Sequence, residues 1–221
     1  GIYGENPYKS PTDMGVNMVG NCIIDDDACC DASRNEIILR YFTALNRLAQ
    51  GETCENEVNK CALLMKQAKI DLSYRKPIGA ARERALISGL PCSAIELADG
   101  TIITAETSSL LGPSAALILN AVKHLAGIDH SVKLIPQDMI EPIQRMKLEC
   151  LNGRNPRLHT DEVLVALAVL STSDTNCRRA LEKLPELRGC QVHSTVMLGE
   201  VDHKIFKKLG VGLTCDPTKK R

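Results

Sequence analysis

A chain of 221 residues is long enough for one large domain or two modest ones with a substantial core. Lys+Arg and Asp+Glu balance at 27 each, so no global field draws in nucleic acid or a membrane surface. Four Tyr, two Phe and no Trp give no base-stacking platform, and no apolar run reaches the length of a membrane span.

The first 24 residues have no clean period. Pro7, Pro11, Gly15 and Gly20 punctuate them, and Met14, Asn17 and Met18 mix polar and thioether side chains. This stretch reads either as a linker or as an extended segment packing on a neighbouring domain or lining a cleft. The abrupt polar start, without an initiator Met, reads as a piece of something longer.

Helical spacing follows. Asp31 or Ser33 is placed to cap a helix running to about residue 49, stopped by Gly51. A second helix over 55–69 follows closely enough to form an antiparallel αα-hairpin. A third runs over 77–88 and ends at Gly89.

The centre of the chain is 91–127. Two short apolar runs, 94–98 and 101–105, flank Asp99-Gly100, which predicts a hairpin closed by a two-residue type I′ turn. Beyond Thr107, Ser108 and Ser109, Gly112-Pro113 opens a helix with Ile118, Ala121, Val122 and Leu125 on one face.

Residues 131–135 read as a strand and 138–151 as a helix bent by Pro142. Thr160 is read as the cap of a nearly all-apolar helix that belongs at the centre of the core. A helix over 175–184, a strand or two within 189–198, a helix over 200–209 and a last strand over 211–215 complete the chain. The predicted architecture is α/β. It comprises a helical subdomain over 25–90, a three-layer α/β sandwich with a small mixed sheet over 91–217, and a basic tail over 218–221.

The zinc-protease H-E-x-x-H and the zinc-deaminase H-x-E with P-C-x-x-C are both missing. So are the G-x-x-x-x-G-K-[ST] phosphate loop, G-x-G-x-x-G and the G-x-S-x-G elbow. The ten cysteines include no C-x-x-C pair; they read as small buried thiols in a reducing cytoplasm, with no metal site.

Three polar clusters remain. Thr107, Ser108, Ser109 and Ser114 surround a helix start and could hold an anion, or could simply cap a turn. Asn155, Arg157 and His159 precede a second helix start, where an Arg fork and an imidazole suit an anionic substrate, or where an exposed turn simply carries a surface Arg. His193 lies on or beside a strand, where it could act as general acid or base, or rest on a backbone carbonyl.

Five stretches carry a family resemblance: SPTDMGVNMVGNCI from Ser10, ALLMKQAKI from Ala62, AIELADGTIITAETSSLLGPSAALILNAVKHLAGID from Ala94, NPRLHTDEVLVAL from Asn155 and LRGCQVHSTVMLGEVDHKIFKKLGVGLTCDP from Leu187. Over essentially its whole length the chain resembles the C-terminal part of an uncharacterised bacterial family, domain of unknown function 1846, sometimes loosely labelled an ATP-dependent zinc peptidase. The resemblance implies a further N-terminal half bearing a Gly-Ser-Gly-Lys stretch like a phosphate-binding loop. It also implies a helical subdomain joined to a three-layer sandwich. The family pattern has Lys where this chain has Glu106, which weakens an anion site at the loop that follows. No catalytic residue carries over, and the peptidase label meets no zinc-ligand spacing.

Two functional readings follow. In the first, this chain supplies substrate contacts, from the Asn17, Ser108, Arg157 and His193 regions, to a nucleotide-dependent phosphotransferase or hydrolase. Its missing half would then bind the nucleotide; no cofactor is evident in this part. In the second, it is a non-catalytic structural or oligomerisation module. Its expected partners are the missing N-terminal half of the same protein and further copies of itself, with no nucleic acid and no membrane.

Overall fold

The computed structural model describes residues 25–218. The segment holding Asn17, Met14 and Met18 and the basic tip at 219–221 lie outside the described residues. The chain divides into two units, Gly1–Arg75 and Lys76–Arg221. The boundary therefore precedes the third helix, which the sequence reading had grouped with the helical segment.

The first unit is built on α1 (Asp26–Ala49) and α2 (Glu55–Gln67), followed by a 3-10 turn, Leu72–Tyr74. Helix α1 starts five residues earlier than Asp31, because the Asp25 side chain accepts the Ala28 N–H, and Asp26 and Asp27 complement the first turn. Gly51, at φ +98, turns the chain between the helices. Arg47 binds Glu52 and Glu57 at 2.7 and 2.6 Å across that turn, and the Cys54 thiol donates to the Ala44 carbonyl. Tyr74 donates to Asp31, tying the 3-10 turn back to α1.

The second unit opens with α3 (Lys76–Ser88) and the hairpin β1 (Cys92–Glu96) and β2 (Ile102–Glu106). The helices α4 (Pro113–Leu125), α5 (Gln137–Arg145), α6 (Thr160–Leu170) and α7 (Thr175–Glu182) follow. The chain then closes with β3 (Gln191–Ser194), α8 (Glu200–Leu209) and β4 (Gly212–Cys215). The four strands lie in the order β2-β1-β3-β4. β1 is antiparallel to both its neighbours, and β3 and β4 are parallel, so the sheet is mixed.

Alternation along the strands separates two faces. Ile95, Ala105 and Val192 join the large core that holds α4, α6 and α8. Ala94, His193 and Thr214, in register with one another, face the other way. Helix α3 covers that second face through Ile78 and Ala81, and Lys76–Glu96, Arg84–Glu106 and Arg82–Asp216 ion pairs join it to the sheet. The three layers match the expected sandwich.

Three local readings are corrected. Only Gly100 of the hairpin turn has positive φ, so the turn is not type I′, which needs two such residues. Gly100 N–H donates to Leu97, Leu97 N–H donates to Thr101, and the Asp99 carboxylate accepts the Thr101 N–H. That is the three-residue loop with a glycine bulge. Residues 131–135 form no strand. The buried Lys123 ammonium takes the His130 and Val132 carbonyls at 2.8 and 3.1 Å and holds that stretch as irregular chain. Burial also pulls the Lys123 pKa down. Helix α6 is not central: Val163 and Leu167 are buried, but Val165 and Val169 are 65% and 60% exposed.

Among the described residues the cysteines are free thiols. Cys177 donates to the Leu134 carbonyl at 3.0 Å, and burial, with Asp174 close by, pushes its thiol up to about 11. Cys150 is exposed. Among the described cysteines, timed alkylation read by mass spectrometry should therefore modify Cys150 first. Cys177 should react at least about a hundredfold more slowly than a freely exposed thiol, and equal rates would contradict this packing.

Candidate active site

The loop 107–112 leaves β2 and must reverse before α4. Its hydroxyls perform that reversal. Ser108 Oγ accepts the Leu110 and Leu111 N–H groups at 3.2 and 3.0 Å, and Thr107 Oγ1 donates to the Leu111 carbonyl at 3.3 Å. Ser109 is exposed and its carbonyl accepts from Gln144. The capping alternative therefore accounts for Thr107 and Ser108. Ser114, in the first turn of α4, is 2% exposed, and its Oγ has no hydrogen-bond partner among the described residues. Glu106, which threatened an anion at this loop, shares a register position with Cys92 and pairs with Arg84 of α3 at 2.9 Å. Its charge is taken up there.

A parallel bridge, Leu111 to Leu158, stitches this loop to the segment before α6. Leu158 N–H donates to Leu110, and Gly112 N–H donates to Leu158. Arg157 Nε donates to the Ser108 carbonyl at 2.7 Å. Neither of its Nη groups meets an acceptor among the described residues. Lys147, 9% exposed, anchors the segment from beneath through the Arg157 carbonyl and the Glu162 carboxylate, each at 2.7 Å. The same Glu162 oxygen accepts the His159 N–H at 2.7 Å, one half of a capping box.

The start of α6 is capped from another helix. Asp202, in the first turn of α8 and 2% exposed, accepts from Thr160 N–H and Thr160 Oγ1 at 3.2 and 3.0 Å. One carboxylate thus serves the positive ends of both helices. Thr160 is the first helical residue and His159 the N-cap, so the expected Thr160 cap is shifted by one. His159 Nδ1 stands 3.8 Å from Asp202 Oδ2, with the ring 31% exposed. Its Nε2 lies on the opposite edge of the ring and faces away from the carboxylate. At 3.8 Å the approach of Nδ1 to Asp202 is an ionic contact open to a protonated ring rather than a hydrogen bond.

His193 is elsewhere. It is fully buried on the α3 face of the sheet. Its Nδ1 lies 2.9 Å from Thr214 Oγ1, and that hydroxyl donates its one proton to the Val192 carbonyl at 3.1 Å. Nδ1 therefore carries a proton, and a bond from Nε2 to Asp216 requires a second proton on the ring. Nε2 is 3.5 Å from Asp216 Oδ1, and Arg82 holds both Asp216 oxygens at 3.1 and 2.6 Å. Burial would raise the Asp216 pKa. The His193 and Arg82 bonds outweigh it and hold the carboxyl at about 2. Asp202, Asp216 and Arg82 escaped the sequence reading. Each looks there like an ordinary helix-start acid, an acid beside a proline, or a surface charge.

Sequence comparison now bears on this geometry. Residues 73–221 match the family model for the C-terminal domain of unknown function DUF1846, and residues 1–69 match its N-terminal counterpart. The chain belongs to the DUF1846 family. It spans parts of both models rather than the C-terminal part alone. Similar proteins include the UPF0371 protein of Corynebacterium diphtheriae, 52% identical over 216 residues, covering 98% of this chain and 44% of the relative. That of Corynebacterium efficiens is 50% identical over 220 residues, covering 100% of this chain and 44% of the relative. That of Streptococcus thermophilus is 44% identical over 216 residues, covering 98% of this chain and 44% of the relative. The chain therefore spans less than half the length of these bacterial DUF1846 relatives. Among its described residues no helix is long and apolar enough to cross a membrane, and no group of three His, Cys, Asp or Glu could hold a metal ion.

Proposed function

We propose that this DUF1846 chain forms the substrate-contacting part of a hydrolase or phosphotransferase acting on an anionic, phosphate-bearing substrate. His159 would be its proton-transfer group. The observation that carries this reading is His159 3.8 Å from buried Asp202 and two residues from Arg157, whose Nη groups meet no acceptor among the described residues. In this assignment Arg157 binds substrate oxygens, since a guanidinium fork matches phosphate geometry. Asp202 orients the imidazole and balances the charge that develops on it. Ser108 and Lys147 hold Arg157 and the His159 backbone in place. The nucleotide, if the reaction uses one, binds in the part of the full-length protein beyond this chain.

A thermal-shift panel of phosphate, nucleotides, sugar phosphates and carboxylates tests the reading. A ligand at about 100 times its dissociation constant adds roughly 2.7 kcal/mol of stability. The shift should vanish in Arg157→Ala and survive in His159→Ala, while turnover by the full-length protein is lost in both. Survival of the shift in Arg157→Ala would move the site elsewhere. The alternative, a non-catalytic structural or oligomerisation module, draws its support from the exposed apolar side of α6.

A further inference from the structure

Helix α6 presents apolar residues to water over nearly two turns. Val165, Ala166, Val169 and Leu170 form one wall of a groove, and Met139, Ile143 and Met146, at helical spacing on α5 and its π-turn, form the other. The groove holds about 450 Å³. Met139 and Met146 are 44% and 46% exposed, and Val165 and Val169 more so. Scattered apolar residues on a surface are ordinary, but a continuous two-walled strip marks a surface that another element covers. The nine residues of α6 from Asp161 to Val169 span about 12 Å at 1.5 Å rise per residue, which suits two turns of a helix laid in the groove. Two thioethers on one wall add adaptable contact.

The groove also has a chemical polarity. Asp161 and Glu162 line one end. Glu162 is already held by Lys147 at 2.7 Å. Asp161 is different: its Oδ1 is shut off from solvent and has no hydrogen-bond donor among the described residues. An apolar trough closed by an unmatched carboxylate oxygen calls for an apolar face carrying a cationic or N–H-rich end. The occupant's source follows from length, because the matched stretch is only 44% of each of the three relatives described above, leaving more than half of each outside it.

We infer that the α5–α6 groove is the docking site for a basic amphipathic helix from the part of the full-length protein beyond these 221 residues, with a Lys or Arg of that helix at Asp161.

Hydrogen exchange on the full-length protein tests this, with Val165→Lys and Asp161→Asn substitutions. Val165→Lys should accelerate exchange across α5 and α6 by about tenfold or more, as a docked element is released. Asp161→Asn should give a smaller acceleration in the same stretches. In the 221-residue chain alone, which lacks that helix, neither substitution should change exchange in α5. Unaltered exchange in full-length Val165→Lys would overturn the docking. An effect of Val165→Lys without any from Asp161→Asn would overturn the basic character of the helix. Protection in the 221-residue chain that rises with its own concentration would assign the groove to a second copy, and so overturn the intramolecular occupant.

Discussion

Asp216→Ala should lower the stability of the sheet unit by about 3 kcal/mol at neutral pH, the scale of breaking a buried ion pair from one side. Arg82 is 43% exposed and recovers water cheaply. His193 has no such recourse, being fully buried with Nδ1 committed to Thr214, so most of the loss comes from its Nε2 edge. The pH dependence distinguishes this charge network from simple packing. The Asp216 pKa is depressed from 3.8 to about 2 by its partners. Its stabilisation is therefore complete above the ordinary carboxylate range and disappears as pH falls through 2. That linkage amounts to about 2 kcal/mol. Urea titrations at pH 6 and pH 2 should show the gap between wild type and Asp216→Ala narrowing by about that amount. A gap of constant size would mean that the carboxylate is no more stabilised in the folded state than in the unfolded chain.

Asp202→Ala should cost about 3 kcal/mol, because Thr160 is fully buried and would keep two donors, N–H and Oγ1, with nothing to accept them. For a chain of this size that corresponds to a fall in melting temperature of roughly 6–12 °C. Asp202→Asn retains an acceptor for Thr160 and should recover most of the stability. It removes the charge behind His159 Nδ1, however, so turnover by the full-length protein should stay low. This separation of folding from activity is what a positioning carboxylate predicts. If Asp202→Asn restored both, the charge facing His159 would have no part in the chemistry, and the proposed proton transfer would need another orienting group.

Much of this fold was legible because its signals are local. Asp99-Gly100 announced a hairpin, Gly112-Pro113 a helix start, and Gly89 a helix end. Each is a backbone preference that needs no distant partner. The turn type was misread since Asp99 keeps negative φ and uses its carboxylate on Thr101 instead. Errors of tertiary origin were of another kind. The apolar run 131–135 has a strand's composition, but the Lys123 ammonium takes two carbonyls along it. The uniform apolarity of α6 suggested burial, whereas half of that apolarity faces outward.

The candidate site divided in the same way. Arg157 and the 107–109 loop stand out by residue type, and the chain joins them through the Leu111–Leu158 bridge and the Arg157 bond to the Ser108 carbonyl. His193 was found too, but strand alternation sends it to the opposite face of the sheet. The carboxylates that give each histidine its setting lie 43 residues beyond His159 and 23 beyond His193 (202 − 159 and 216 − 193). No sequence pattern of short range could join them.

The pairing of β1 with β3 also sets an order of events during synthesis. Ser93 meets Ser194 across 101 residues (194 − 93), and that span contains the β1–β2 hairpin and four helices. The hairpin and α4 can form as soon as they leave the ribosome. The central strand pair cannot form until nearly the whole chain has emerged, and closing so long a loop is slow compared with forming local contacts. Through that interval Ile95 and Ala105 have only α4 to cover them. The nascent chain is therefore most exposed to misassociation between completion of α4 and arrival of β3.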